Sequence, residues 1–370
     1  MKFTHFASLI QHSTRFAGRL SLAGAQLLIV AVIAWLALRF YPGDRWTPAR
    51  LGSYFAPWLF MALLPALGVV LIARRRWSAR LITLLLLVFM TQYWPLIFPR
   101  SPQAFAQTDA DSLRVMTFNV NFNNRDARGV AELIAAEQPD IIAFQEMSEE
   151  LSAALRPKIE ADYPYYLVDN SWGLQMAIAA RYTLETLPRH PNAIRAQHGL
   201  VKTPAGDIVI WNVHPNPAVT GGWDSQRQLL ALVAEDVAVE ERPLIVLGDF
   251  NTTDQTENYQ LIANHLTDAQ WAAGQGFGFT FPDLSKAITP EQPWPICALL
   301  NTPPLVRIDH ILVSRHFTPR AARVVPYSYS SDHLPVVAEL HIAALKSETF
   351  RPFEVESLLF GQENSNYKHG

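Results

Sequence analysis

Leu244-Ile245-Val246-Leu247-Gly248-Asp249-Phe250-Asn251 runs from four branched aliphatic residues directly into a glycine, an acid and an amide. A short run that is apolar at every position reads as a strand covered on both faces. Asp249 and Asn251 follow at its end. The same arrangement recurs on either side. Leu113–Val120 reads as a buried strand with Asn119 near its end and Asn121 just beyond. Asp140–Gln145 is a second, and Glu146 directly follows it; Ile208–Val213 is a third, followed by His214. Asp309 begins the strand Ile308–Val313, and Asp332 and His333 precede Leu334–Leu340.

Helical patterns alternate with these strands. Asp126–Glu137 carries Val130, Leu133 and Ile134 at helical spacing, Leu151–Ile159 is helical, and Trp223–Glu240 is amphipathic. Strands outnumber helices, and several are apolar on both faces, which predicts stacked sheets covered by helices. Residues 282–306 hold six prolines and read as one long loop, the kind of segment that often carries function.

Asp, Glu and Asn offer hard oxygen ligands, which suit magnesium or manganese rather than zinc. A histidine beside them can act as acid or base, and an Asp bonded to it fixes its tautomer. Singly each signal is ordinary. Gly-Asp-Phe-Asn makes a common turn, Glu146 could open a helix, His214 could merely end a strand, and a lone Asp-His pair is often a satisfied surface or cap pair. Their joint occurrence at strand ends, in this order, is what carries the chemical reading.

Met116-Thr-Phe-Asn-Val120, Phe144-Gln-Glu146, Asn212-Val-His-Pro215, Gly248-Asp-Phe-Asn251, Arg307-Ile-Asp-His310 and Ser331-Asp-His-Leu-Pro-Val336 together resemble the motifs of the endonuclease/exonuclease/phosphatase (DNase I-like) superfamily. The resemblance spans about Leu113 to Leu340. It implies an α/β fold, a four-layer α-β-β-α sandwich of two mixed sheets. It implies that Glu146, Asn119 and Asp332 hold Mg2+ or Mn2+, and that Asp249 orients or deprotonates the attacking water. Asn251 would bind the phosphate or a metal, His333 would contact the scissile phosphate with Asp309 orienting it, and His214 would stabilise the transition state or protonate the leaving oxygen. Two positions depart from the pattern: His310 stands where many members carry Tyr, and Pro215 where Leu is frequent.

Charge divides the chain sharply. Residues 1–100 contain eleven Lys/Arg and one acid, Asp44, so the remainder holds 19 basic against 32 acidic residues. Three apolar stretches, at about 20–40, 52–73 and 81–98, are each long enough to cross a bilayer as a helix. They predict a membrane anchor over 1–100 with three transmembrane helices, a linker at 101–112, the catalytic domain at 113–345 and a polar tail at 346–370. Lys2, Arg15 and Arg19 precede the first stretch, and Arg74-Arg75-Arg76 with Arg80 lie between the second and third. By the positive-inside rule the N-terminus is then cytoplasmic, and the catalytic domain lies extracytoplasmic to the inner membrane. Ala104-Phe105-Ala106 has the small-x-small form of a signal-peptidase site, so release after Ala106 is left open. The single Cys297 excludes an intramolecular disulfide and a thiolate zinc site.

Tethering favours a lipid or lipid-linked phosphate as substrate, with the lipid bilayer as partner; Trp271, Trp294, Leu299 and Leu300 are candidates to rest on it or, alternatively, to lie in the core. A nuclease is the alternative, disfavoured by the acidic soluble part because nucleic-acid affinity rests on Lys and Arg. A small phosphorylated metabolite is a further option. A catalytically silent scaffold is the reading from another class. Its signature would be a lost ligand, yet none of Glu146, Asp249, Asn251, Asp309, Asp332 or His333 is replaced.

Overall fold

The computed structural model describes residues 2–98, 112–170, 175–283 and 303–342. Twelve strands lie among them: β1 (Ser112–Asn119), β2 (Ile141–Gln145), β3 (Tyr165–Asp169), β4 (Met176–Ala180), β5 (Thr183–Thr186), β6 (Ala196–Thr203), β7 (Gly206–Val213), β8 (Leu244–Asp249), β9 (Thr267–Asp268), β10 (Asp309–Val313), β11 (Phe317–Val324) and β12 (Val336–Ile342). They form two six-stranded sheets, ordered β11-β12-β1-β2-β4-β3 and β5-β6-β7-β8-β10-β9. Each sheet has one parallel pair, β1 with β2 and β7 with β8; the other pairs are antiparallel. Parallel neighbours need a crossover, supplied by the helices Ala127–Glu137 and Trp223–Val239.

Alternation along each strand sets the layers. Val115, Ile141, Ala143, Ile208, Ile210, Ile245, Leu247 and Ile311 meet between the sheets. The intervening Met116, Phe118, Ile142 and Phe144 pack on the helices Ala127–Glu137 and Glu149–Ile159. Val209, Trp211 and Val246 pack on Trp223–Val239. This is the expected α-β-β-α sandwich. One buried polar link crosses its middle: Gln145 Nε2 donates to Asn212 Oδ1 (2.7 Å), and Asn212 Nδ2 donates to the Phe144 carbonyl (3.0 Å).

The sequence pattern missed β11. It is an edge strand interrupted by Pro319, with its register shifting between Pro319 and Ala321, so it lacks the alternation that marks a strand.

Of the three expected spans, two are single helices and the middle one is a bent pair. Among the described residues two single helices are long and apolar enough to cross a membrane, Ser13–Leu38 and Arg76–Ile97, and the bent pair passes the same measure if it is one span. The middle stretch is a bent pair, Thr47–Tyr54 and Ala56–Ile72, meeting at 72°. Pro57 explains the break, since it brings no N–H and disfavours helical geometry just before it. Thr47–Tyr54 also carries buried Arg50 and Ser53 and docks on the sandwich.

Val32, Phe60, Leu63, Val70, Ile82 and Phe89 hold the helices together. The ends near Arg39, Thr47 and Leu96 meet the sandwich: Arg39 donates to the Gln255 carbonyl (3.2 Å), and Gly276 N donates to the Leu96 carbonyl (3.1 Å). The turn at Arg74-Arg75-Arg76 therefore lies at the far end. Aromatic pairs line the junction, with Trp58 on Phe279 (5.5 Å), Phe89 near Phe277 (6.2 Å) and Tyr93 on Trp271 (5.8 Å). Trp271, a candidate either to rest on a membrane surface or to lie in the core, is part of this seam, and its Nε1 donates to Asp254 (2.7 Å). Trp294, Leu299, Leu300, Ala106, residues 101–111 and the tail 346–370 lie outside the described residues.

Candidate active site

The inward-facing row of each central strand turns polar at one end of the sandwich. Asn119 continues Leu113 and Val115, Gln145 continues Ile141 and Ala143, and Asp249 continues Ile245 and Leu247. His214 follows β7 in step with Ile208 and Ile210, while Asp309 opens the antiparallel β10 and pairs directly with Asp249. Strand parity thus gathers the site. Gly248 is required where it stands: its φ is +147°, and a Cβ there would come within 2.0 Å of the Val213 carbonyl oxygen. Asn121, Glu146 and Asn251 have left-handed backbones, with φ of 63°, 55° and 49°. Such non-glycine conformations collect where function demands a particular side-chain direction.

The side chains converge closely. Asn119 Nδ2 donates to Glu146 Oε1 (3.2 Å) and to Asp249 Oδ2 (3.0 Å). Phe122 N donates to the other Glu146 oxygen (3.2 Å). Asn251 donates from its backbone to Asp249 Oδ1 (2.8 Å), and from its amide to Asp249 Oδ2 (3.2 Å) and the Pro215 carbonyl (3.1 Å). The proline that departs from the family pattern therefore still supplies an acceptor to the site.

His214 lies between two carboxylates, with Nε2 3.5 Å from Glu146 and Nδ1 3.4 Å from Asp249. Burial opposes its charge, but these two neighbours outweigh burial and raise its pKa to about 9. Burial likewise opposes ionisation of Glu146, and the His214 contact overrides it, bringing the carboxyl to about 2. His333 Nδ1 is 2.9 Å from Asp309 and its Nε2 is 3.8 Å from Asp249. Against burial, Asp309 and then Asp249 raise His333 to about 10. Asp249 is held below the usual carboxylate range by His333 and His214 despite its burial, whereas burial pushes Asp309 up.

Seven of the expected residues are thus brought together: Asn119, Glu146, His214, Asp249, Asn251, Asp309 and His333. Asp332 is not among them. Its carboxylate accepts from Asn121 Nδ2 (2.7 Å), and it belongs to neither carboxylate–histidine group whose ligand atoms lie within 4.8 Å of one another. Those groups are Glu146, His214, Asp249 and Asp249, Asp309, His333. The carboxylate oxygens of Glu146 and Asp249, with the Asn119 amide between them, fit a hard divalent cation. His310 is outside the site, its Nε2 2.9 Å from the Thr252 carbonyl and its ring against Phe250 and Tyr259.

Two supporting residues were not singled out in the sequence. Gln226 Nε2 donates to the Asn251 carbonyl (2.9 Å), and Tyr54 donates its hydroxyl to the same oxygen (2.5 Å). Gln226 carried a signal, being a polar residue on the buried face of the helix that also presents Leu229 and Leu230. Tyr54 carried none in its own surroundings.

Residues 116–333 match the model of the Endonuclease/Exonuclease/phosphatase family. A search of the curated proteins found no match. Among solved structures, an endonuclease/exonuclease/phosphatase from Bacteroides vulgatus is 23% identical with a TM-score of 0.50, over 62% of this chain and 99% of that one. A functionally unknown conserved protein from Enterococcus faecalis V583 is 19% identical with a TM-score of 0.50, over 62% of this chain and 100% of that one. Both likenesses concern the sandwich. With the family model spanning the strands and the gathered polar residues, the chain belongs to the endonuclease/exonuclease/phosphatase family, whose members are hydrolases of phosphoester bonds and generally depend on a divalent metal.

Proposed function

We propose that the protein is a membrane-anchored, divalent-metal-dependent phosphoesterase that hydrolyses a phosphate ester or diphosphate of a lipid or lipid-linked substrate. The observation that carries the lipid part is an apolar wall beside His333. The Phe281 ring centroid is 4.7 Å from that of the imidazole, and Phe281 packs in one cluster with Tyr54, Leu305, Val306 and Ile308. Tyr54 ends the helix that leads into the apolar run Ala56–Ile72. A polar site and a set of apolar helices therefore share a boundary, which matches a substrate with phosphate at one end and hydrocarbon at the other. Arg74-Arg75-Arg76 at the far end of the bundle supports a cytoplasmic N-terminus, with the sandwich on the opposite face of the inner membrane.

Glu146, Asn119 and Asp249 would hold magnesium or manganese, which when bound neutralises charge on the phosphoryl oxygens. Asp249 orients the attacking water and accepts its proton. His333, fixed through Nδ1 by Asp309, presents Nε2 to the scissile phosphate as a charged donor. His214, charged between Glu146 and Asp249, is placed to give a proton to the leaving oxygen. Asn251 sets the Asp249 carboxylate and contacts the phosphate.

The test is release of phosphate or head group by the full-length protein with magnesium or manganese, offered lipid diphosphates, phospholipids and plasmid DNA. Turnover of lipid alone, lost with chelator and in Asp249→Ala, is the expected result. DNA cleavage at a comparable rate would overturn the lipid assignment and leave the hydrolytic one. Identical behaviour of wild type and variant on all three substrates would sink both.

A further inference from the structure

The segment Asn251–Glu257, which carries Asn251 out of the site, is gripped along its length by residues of the N-terminal helical region. At one end the Tyr54 hydroxyl donates to the Asn251 carbonyl (2.5 Å). In the middle, Arg39 donates to the Gln255 carbonyl (3.2 Å) and Gln92 to the Gln255 side chain (2.5 Å). At the other end Asp44 Oδ2 accepts from Glu257 N (2.7 Å), and Asp44 N donates back to Glu257 Oε1 (3.1 Å). Ser53 steadies Asp44 by donating to its other oxygen (2.8 Å). Asp44, Ser53 and Tyr54 are all buried in this contact. Gly43 passes so close that a Cβ would lie 2.0 Å from Glu257 Oε1, and its φ is +73°.

We propose that Tyr54 is a positioning residue for the hydrolytic reaction, so that the helical region completes the active site as well as anchoring it. This rests on the phosphoesterase reading of Asp249 and Asn251 and is independent of the lipid assignment. Asn251 holds a left-handed backbone, and its N–H and side-chain amide both aim at Asp249. Its carbonyl points the other way and has two donors, Gln226 from the sandwich and Tyr54 from the helices. Two donors on one carbonyl fix the Asn251–Thr252 peptide plane and with it the ψ of Asn251, which steadies the Cα that carries the amide aimed at Asp249. Removing the Tyr54 hydroxyl leaves Gln226 in place, so the loop stays folded but the plane is free to rock.

The experiment uses the full-length protein in lipid nanodiscs with manganese and bis(4-nitrophenyl) phosphate as probe. It compares wild type, Tyr54→Phe, Asp44→Ala and Phe277→Leu. The last loosens the aromatic seam without touching residues 251–257. Tyr54→Phe is expected to lower kcat about five-fold with KM unchanged, the effect of one net hydrogen bond worth about 1 kcal/mol. Amide exchange over residues 250–257 should quicken in Tyr54→Phe and Asp44→Ala, with the strands unaffected, while Phe277→Leu leaves both readouts at wild-type values. Wild-type kcat and wild-type exchange in Tyr54→Phe would overturn the proposal. So would an equal loss in Phe277→Leu, which would mean that any loosening of the junction suffices. A wild-type protein inactive on the probe would count against the phosphoesterase reading, and the exchange arm would then decide whether the helices hold the loop.

Discussion

Asp249 and Asp309 stand directly opposite each other on the antiparallel strands β8 and β10, and His333 reaches both. Two buried carboxylates in that position repel. An imidazolium 2.9 Å from one and 3.8 Å from the other offsets the repulsion and is itself kept charged. Replacing Asp309 with Asn removes the group that fixes the ring. Asp309→Asn should lower kcat by about 10²- to 10⁴-fold, the range of a misplaced acid–base group, with little change in KM. Steady-state rates on whichever phosphoester the wild type turns over will check this. A variant within a few-fold of wild type would remove Asp309 and His333 from the reaction.

Glu146 offers a half-buried carboxylate that shares the Asn119 amide with Asp249. Glu146→Gln takes away one negative oxygen and leaves the volume intact. The manganese concentration giving half-maximal activity should rise by at least about ten-fold, and chelation should abolish activity in both proteins. Manganese binding followed by electron paramagnetic resonance gives the same comparison without turnover. Equal affinity would place the metal elsewhere.

Asn212 joins the two sheets through Gln145 and the Phe144 carbonyl. Asn212→Leu keeps the size of the side chain and strands both partners in the core. The cost should be about 2 to 3 kcal/mol, read from the urea midpoint. A loss below about 0.5 kcal/mol would show that the link is dispensable, as buried polar pairs sometimes are.

Asp268, in β9, and Arg307 form a buried pair, with Arg307 Nη1 2.8 Å and 3.0 Å from the two carboxylate oxygens. Arg307 Nη2 also reaches Asp254 (2.8 Å). Burial disfavours the Asp268 charge, but Arg307 more than offsets it and holds the carboxyl far below its usual range. A carboxyl depressed in the folded state stabilises fully above its unfolded value of about 4. That stabilisation is lost as pH falls below about 4 toward the folded value. Urea midpoints should therefore drop on going from pH 5 to pH 3, and Asp268→Asn should flatten that drop. The variant should also lose about 3 kcal/mol at neutral pH. An unaltered acid slope would mean that other carboxylates dominate acid unfolding.

The site was legible in the sequence because it prolongs a pattern. Asn119, Glu146, His214, Asp249 and Asp309 each stand at the end of an apolar run, and strand parity turns most of them inward. The Asp332 carboxylate accepts from Asn121, two residues beyond Asn119, while His333 beside it reaches Asp249 and Asp309. The cross-sheet link lay inside two quoted motifs, but nothing along one strand shows what faces it on another. β11 was hidden by Pro319 and its bulge. The grip of the helices on residues 251–257 joins positions about two hundred apart in the chain, beyond the reach of any local pattern. One signal did exist. Asp44 is the only acid among the first hundred residues, and a lone acid beside apolar runs needs a partner.

Trp58 on Phe279, Phe89 near Phe277 and Tyr93 on Trp271 tie the helical bundle to the sandwich at three places. A head seated in that way cannot swing on a tether. In the proposed arrangement its opening stays at one height and one tilt above the lipid surface. Substrates would then be sorted by how far their phosphate projects into water, so the length of the head group, more than the chemistry of the acyl chains, would decide which lipids are cut.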